Sequence, residues 1–180
     1  MRRVGVSAGV AAGVIALVCA GVSGCSGSVS VHTGTAPPVV AKADLEKDIT
    51  NRLTEAKQTP QSVTCAEDLV GEVGKTTRCE VVLSETNAIE PIVKATKVEG
   101  TTVDYEMTPA LSQDQLQDQV GMLMTQNQMA AETVSCEGGL EGVVGKEIRC
   151  AVEGGGETTD TVVKVTEVDG LMMNFEINPA

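Results

Sequence analysis

The chain has no tryptophan, one phenylalanine, one tyrosine and one histidine in 180 residues. Each shortage removes a class of function or a means of folding. A nucleophilic triad or a general base usually calls on histidine. The only one, His32, sits in SGSVSVHTGTAPPVVAKA (26–43), a stretch with no apolar period and many Ser, Gly, Thr and Pro residues. A mobile tether cannot hold catalytic geometry, so no catalytic residue is assigned and no enzyme is expected. Positive charge is also scarce, with 13 basic against 25 acidic residues and a net charge of −12. Such a surface repels nucleic acid and anionic headgroups at long range, which excludes a nucleic-acid partner. Calcium would need oxygen ligands closely spaced around a turn, as in D-x-[DN]-x-[DN]-G, and no such run occurs. No metal and no cofactor is expected.

One string imitates chemistry. VGEVGKTTRC (70–79) contains GKTT, the end of a phosphate-binding loop. That loop needs G-x-x-x-x-G-K-[ST], because several backbone N–H groups curl around the phosphates while the lysine reaches the outer ones. Counting back from Gly74, the first glycine should stand at 69, where the chain has Leu69. The chain then repeats the string as EGVVGKEIRC (141–150), with Glu147 in place of the metal-binding hydroxyl. A carboxylate there would repel phosphate, so the glycines read as turn positions inside a closed loop.

The repeat is general. At an offset of 71, residues 65–79 and 136–150 share both cysteines, Leu69/Leu140, Gly71/Gly142, Val73/Val144, Gly74/Gly145, Lys75/Lys146 and Arg78/Arg149. At an offset of 70, VKATKVEG (93–100) lies over VKVTEVDG (163–170), and VDYEMTPA (103–110) over MNFEINPA (173–180). Two modules follow, 41–110 and 111–180.

Ahead of them, MRRVGVSAGVAAGVIALVCAGVSGC has two arginines, an uncharged and mostly apolar run, and small residues. This is the layout of a secretory signal over 1–24. An uncleaved membrane anchor is the alternative, but so many glycines and alanines make a weak one. VSGC (22–25) resembles the bacterial lipobox, in which Cys25 takes a diacylglyceryl group and becomes the new amino terminus, with palmitate as a typical acyl chain. Residues 25–40 are then lipidated cysteine and tether, about 50 to 60 Å when stretched at roughly 3.3 Å per residue. Losing Arg2 and Arg3 with the leader leaves 11 basic against 25 acidic residues, a net near −14. Membrane attachment must come from lipid rather than from a basic patch.

Of six cysteines, Cys19 leaves with the leader and Cys25 takes the lipid, so one equally spaced pair remains per module. An exported chain keeps disulfides, which makes Cys65–Cys79 and Cys136–Cys150 the expected bridges. Zinc is the competing use, but its sites show two to four residues between paired cysteines, and here thirteen intervene. A small, aromatic-poor module needs such a staple.

Each module opens on a helical pattern. Leu45, Ile49, Leu53 and Ala56 recur at three and four in the first; Leu116, Val120, Leu123 and Met124 do so in the second, where Ser112 and Gln115 make a capping box. Alternating strands follow, clearest in Val103, Tyr105 and Met107 and in Met173, Phe175 and Ile177, with SETNA (84–88), EGGGE (153–157), VEG and VDG as turns. The expected fold class is α+β: two tandem modules, each one helix packed on an antiparallel sheet of three to four strands with one intramodule disulfide. Tyr105 and Phe175 hold matching positions and are read as core. Lys75, Arg78, Lys146 and Arg149 stand out on an acidic chain as a docking patch shown twice, against the plainer reading of local surface ion pairs.

Lipobox, tether, and a Cys to Gly-x-x-Gly-Lys to Cys loop followed by V-K-V strands and a terminal glycine turn resemble a secreted domain-of-unknown-function family of actinobacteria, mycobacteria above all. The resemblance covers about 140 residues, both modules. It implies an exported lipoprotein on the outer face of the cell membrane and carries no activity over. The expected function is a non-enzymatic, lipid-anchored envelope module that binds an unidentified envelope protein or ligand. In layout only, tandem helix-plus-sheet repeats with a disulfide each also resemble secreted β-lactamase inhibitor proteins; the alternative function is a secreted inhibitor or accessory protein of an envelope enzyme. A third class, a carrier of apolar ligand, needs a cavity of several hundred Å³ between helix and sheet.

Overall fold

The computed structural model describes residues 4–5 and 36–180. The leader apart from Val4–Gly5, the lipobox cysteine Cys25 and His32 lie outside the described residues. Val4–Gly5 forms β1. The first half then runs β2 (Val39–Val40), α1 (Lys42–Glu55), β3 (Ser62–Cys65), β4 (Leu69–Val70), β5 (Thr76–Ser84), β6 (Asn87–Ile89), β7 (Ile92–Glu99) and β8 (Thr102–Thr108). The second half runs β9 (Ala110–Leu111), α2 (Gln113–Gln126), β10 (Thr133–Cys136), β11 (Leu140–Glu141), β12 (Glu147–Gly154), β13 (Glu157–Asp169) and β14 (Met172–Pro179).

This corrects the expected α+β class of one helix laid on one small sheet per module. Half of the described residues are in strands and 19% in helices, so the protein is mostly β. Its strands form four antiparallel sheets of six, four, two and two strands rather than two sheets of three or four. The large sheets run β1-β8-β7-β5-β3, with β6 also on β5, and β10-β12-β13-β14. The buried side chains of both halves join in one cluster, from Leu45 and Val81 in the first to Leu116 and Val163 in the second. The reading from sequence missed two-residue ladders, β2 with β4 and β9 with β11, because two residues carry no period to detect. Val40 is fully buried in the first of these, so the chain joins the fold before the expected tether end.

Small sequence differences between the copies have visible consequences. Pro91 has no backbone N–H for a ladder and separates β6 from β7; its counterpart Thr161 lets β13 run unbroken for 13 residues. A register shift recurs at matching places, Ala95/Lys97 and Val165/Glu167. The four turn strings close hairpins, with Gly100, Gly155, Gly156 and Gly170 at positive φ.

The helices are held differently at their starts and alike in their middles. Ala41 offers α1 no side-chain cap, and the Lys42 N–H donates instead to Asp68 Oδ1 at 2.9 Å. In α2, Ser112 and Gln115 close the capping box reciprocally. Leu45, Ile49 and Leu53 face inward in α1, but Ala56 is the exposed C-cap. Each helix then ties the strand carrying the first cysteine: Cys65 N donates to Glu46 Oε1 at 3.0 Å, and Cys136 N to Gln117 Oε1 at 3.1 Å. Glu46 and Gln117 are equivalent in the repeat. Cys65 lies opposite Cys79, and Cys136 opposite Cys150, in the strand register, and both pairs are bridged.

Candidate functional site

The glycine-lysine loops offer nothing to a phosphate. Gly74 N already donates to Ala95 O at 2.8 Å and Lys75 N to Glu72 O at 3.0 Å; Gly145 N donates to Val165 O and Lys146 N to Val143 O, each at 2.8 Å. These amides, which a phosphate loop would aim at its ligand, are therefore spent on the turn and on the neighbouring strand. Two glycines per loop act in different ways. Gly74 and Gly145 have φ of 91° and 85°, which suits glycine alone. Gly71 and Gly142 donate to Pro38 O and Pro109 O at 2.6 and 2.7 Å, an approach that leaves no room for a Cβ.

The four cations singled out above do not share one environment. Lys75 Nζ lies 3.9 Å from Glu72 Oε2, and Arg78 Nη1 lies 2.7 Å from Glu90 Oε2. Both pairs are exposed enough to contribute less than about 1 kcal/mol. Lys146 and Arg149 have no ion-pair partner among the described residues, although Arg149 shares a cleft with Glu137 and Asp160. Beside the lysines, Val73, Val143 and Val144 are largely exposed.

The larger departure lies at the end of the helix in each copy. In the first, Tyr105 Oη donates to Asp48 Oδ2 at 2.9 Å, and Arg52 Nε donates to the same oxygen at 3.0 Å. Asp48 and Ile89 are each 6% exposed and Tyr105 is 5% exposed. The region is sealed. Replacing Tyr105 by phenylalanine removes a hydrogen bond to a buried carboxylate and should lower unfolding stability by about 1.5 to 3 kcal/mol in urea denaturation. A loss below a few tenths would show that the hydroxyl is idle.

In the second copy each of these positions changes, and so does the exposed Gln58 just beyond the helix. Gln119 replaces Asp48, Leu123 replaces Arg52, Met129 replaces Gln58, Thr159 replaces Ile89 and Phe175 replaces Tyr105. The result is a half-open cleft of about 350 Å³ between the end of α2 and β13–β14, walled by Leu123, Met124, Met129, Phe175 and Ile177. Phe175 and Leu123 are only half-buried, unlike the core positions expected of them. They also wall a second cleft of about 520 Å³, where Met122 and Met173 meet the β5–β6 hairpin of the first half. No residue lining either cleft carries a charge. Four of the chain's seven methionines line them. Such flexible, polarisable side chains recur at surfaces that accept varied apolar partners. A comparison of the two copies position by position would have pointed to this site, since Arg52/Leu123 and Gln58/Met129 both trade polar for apolar.

Among the described residues no group of three or more His, Cys, Asp or Glu is placed to hold a metal. No helix among them is long and apolar enough to cross a membrane. Two internal disulfides point to an oxidising, extracytoplasmic compartment. A family model described as a domain of unknown function (DUF4333) matches residues 20–100 and again 98–170. No curated protein and no solved structure matches the chain.

Proposed function

Since the chain belongs to the DUF4333 family and carries two copies of its domain, we propose that it is a non-enzymatic binding protein of the cell envelope, held to the membrane by lipid on Cys25. The observation that carries the binding role is the uncharged, methionine-lined trough of the second copy. A concave cleft of a few hundred Å³, lined mainly by apolar side chains with a few polar groups among them, is the usual form of a binding site. The sealed counterpart in the first copy supports this, because the same fold closes when Arg52, Asp48, Ile89 and Tyr105 are present. The export and lipidation reading is supported by the leader, the VSGC string, the resemblance to actinobacterial lipoproteins and the two disulfides.

Capture from a detergent-solubilised envelope of the producing cell tests both parts. The natural chain should retain an envelope component that a Leu123→Arg/Met129→Gln variant, which restores the residues of the first copy, does not retain. Intact-mass measurement of the same preparation should show diacylglyceryl on Cys25 and no leader. Equal retention by the variant would remove the trough from the binding role, and an unmodified Cys25 would remove the anchor.

A further inference from the structure

The trough lies on the more acidic half of the molecule. Between 111 and 180 twelve carboxylates face three cations, Lys146, Arg149 and Lys164. Lys164 is already paired with Glu147, and Lys146 sits at the glycine-lysine turn. None of the three lines the trough. At its inter-copy end, Met122 is also part of a cleft walled by Glu85 and Asp118. An uncharged floor, mainly apolar in the first cleft and mixed with Ser84, Thr86, Asn87, Gln119 and Asn174 in the second, thus runs toward carboxylates, inside a field set by a net charge of −12.

We propose that this trough takes a cationic amphipathic segment of a protein partner. The segment would bury apolar side chains against Leu123, Met129 and Phe175 and set lysines or arginines toward Glu85 and Asp118. The inference rests on the binding role proposed above and specifies its ligand. Three features fit this occupant. The two clefts meet at Leu123 and Phe175, so they offer an elongated rather than a point-like site, the shape that a helix face with anchors at i, i+3, i+4 and i+7 fills. Methionines adjust to different anchor shapes. Met129, though 49% exposed, has its backbone fixed by its own N–H donating to Met124 O at 3.0 Å. The main chain that carries this side chain is set before the partner arrives, which lowers the backbone ordering cost of binding. Negative potential around an apolar groove speeds capture of a cationic partner and rejects acidic ones.

The probe is a fluorescein-labelled helix of leucine and lysine, about 18 residues long so as to span ~27 Å, titrated with the full chain and read by anisotropy. Saturable binding is expected, weakening at least about tenfold in Leu123→Arg/Met129→Gln and falling steeply as salt screens the carboxylates. The same peptide with glutamate for lysine should bind at least about tenfold more weakly. A Val73→Ala chain, altered without change of charge at an exposed apolar residue of the first copy that lines neither cleft, should bind as the natural one does. Circular dichroism melts of each variant establish that it folds. Equal binding by the double variant, equal binding of the glutamate peptide, or displacement of the peptide by an uncharged alkyl glycoside at matched concentration would each overturn the assignment. So would a dimer in sedimentation that the double variant abolishes, since the trough would then be covered by a second copy. If the peptide fails while envelope capture still depends on Leu123 and Met129, only the ligand class falls and the binding role stands.

Discussion

Replacing Cys65 and Cys79 together by alanine should lower the unfolding free energy by about 3 kcal/mol, and the Cys136/Cys150 pair should cost about the same. Each bridge spans a sequence separation of 14 and joins directly opposed strand residues. Opening it returns to the unfolded chain the freedom of a loop of about 15 residues, worth roughly 3 kcal/mol in the chain-entropy view. The cysteines are also at most 3% exposed, so alanine leaves unfilled volume in the core as well. Set against a typical total of about 5 to 15 kcal/mol, either loss is large. Because the buried side chains form one cluster, removing either bridge should lower the midpoint of a single transition rather than split it in two. Urea denaturation followed by far-ultraviolet circular dichroism measures both quantities. A cost under about 1 kcal/mol would mean that the staple is redundant.

The second large effect concerns glycines that look alike in sequence. Alanine at Gly71 would put its Cβ 2.5 Å from Pro38 O, 2.7 Å from Pro38 Cγ and 2.8 Å from Val103 Cγ2. At Gly142 the same atom would meet Pro109 Cγ at 2.5 Å and Pro109 O at 2.7 Å. A backbone carbonyl oxygen held beside a β-ladder cannot step aside as a flexible side chain can. Either substitution should therefore push apart the junction where β2 meets β4 or β9 meets β11, at a cost of about 3 kcal/mol or more. Gly74→Ala and Gly145→Ala meet nothing within 4 Å and carry only the strain of positive φ, about 1 to 2 kcal/mol. Thermal melts of the four single variants give the order directly. If Gly74→Ala proves the more damaging in the first loop, close approach is not what Gly71 provides.

How much of this was legible beforehand depends on whether a feature is local. The capping box of Ser112 and Gln115, the inward Leu45, Ile49 and Leu53, the hairpin turns and the paired cysteines all express spacings of a few residues, or a repeat, that the string displays. The two-residue strands Val39–Val40 and Ala110–Leu111 carry no such spacing, and they exist only because Leu69–Val70 and Leu140–Glu141 come back to meet them. The α+β reading failed for a related reason. It counted periodic segments correctly as helix or strand but had no way to weigh ladders between segments far apart. Phe175 shows the limit for the site: its alternation with Asn174 and Glu176 matches that of Tyr105, yet one ring is sealed and the other is half-open.

By itself, the sequence determined a duplicated domain, matched cysteine pairs and an acidic composition with few basic residues. These follow from composition and from comparing the chain with itself, which need no coordinates. Only the tertiary structure decided that the protein is mostly β with one shared core, that Gly71 and Gly142 are required by close approach rather than by torsion, and that one copy is closed while the other holds a trough. Each of these depends on residues separated by tens of positions, such as Asp48 with Tyr105 or Leu123 with Phe175. Contact at that range is set by how the elements pack, and no local pattern records it.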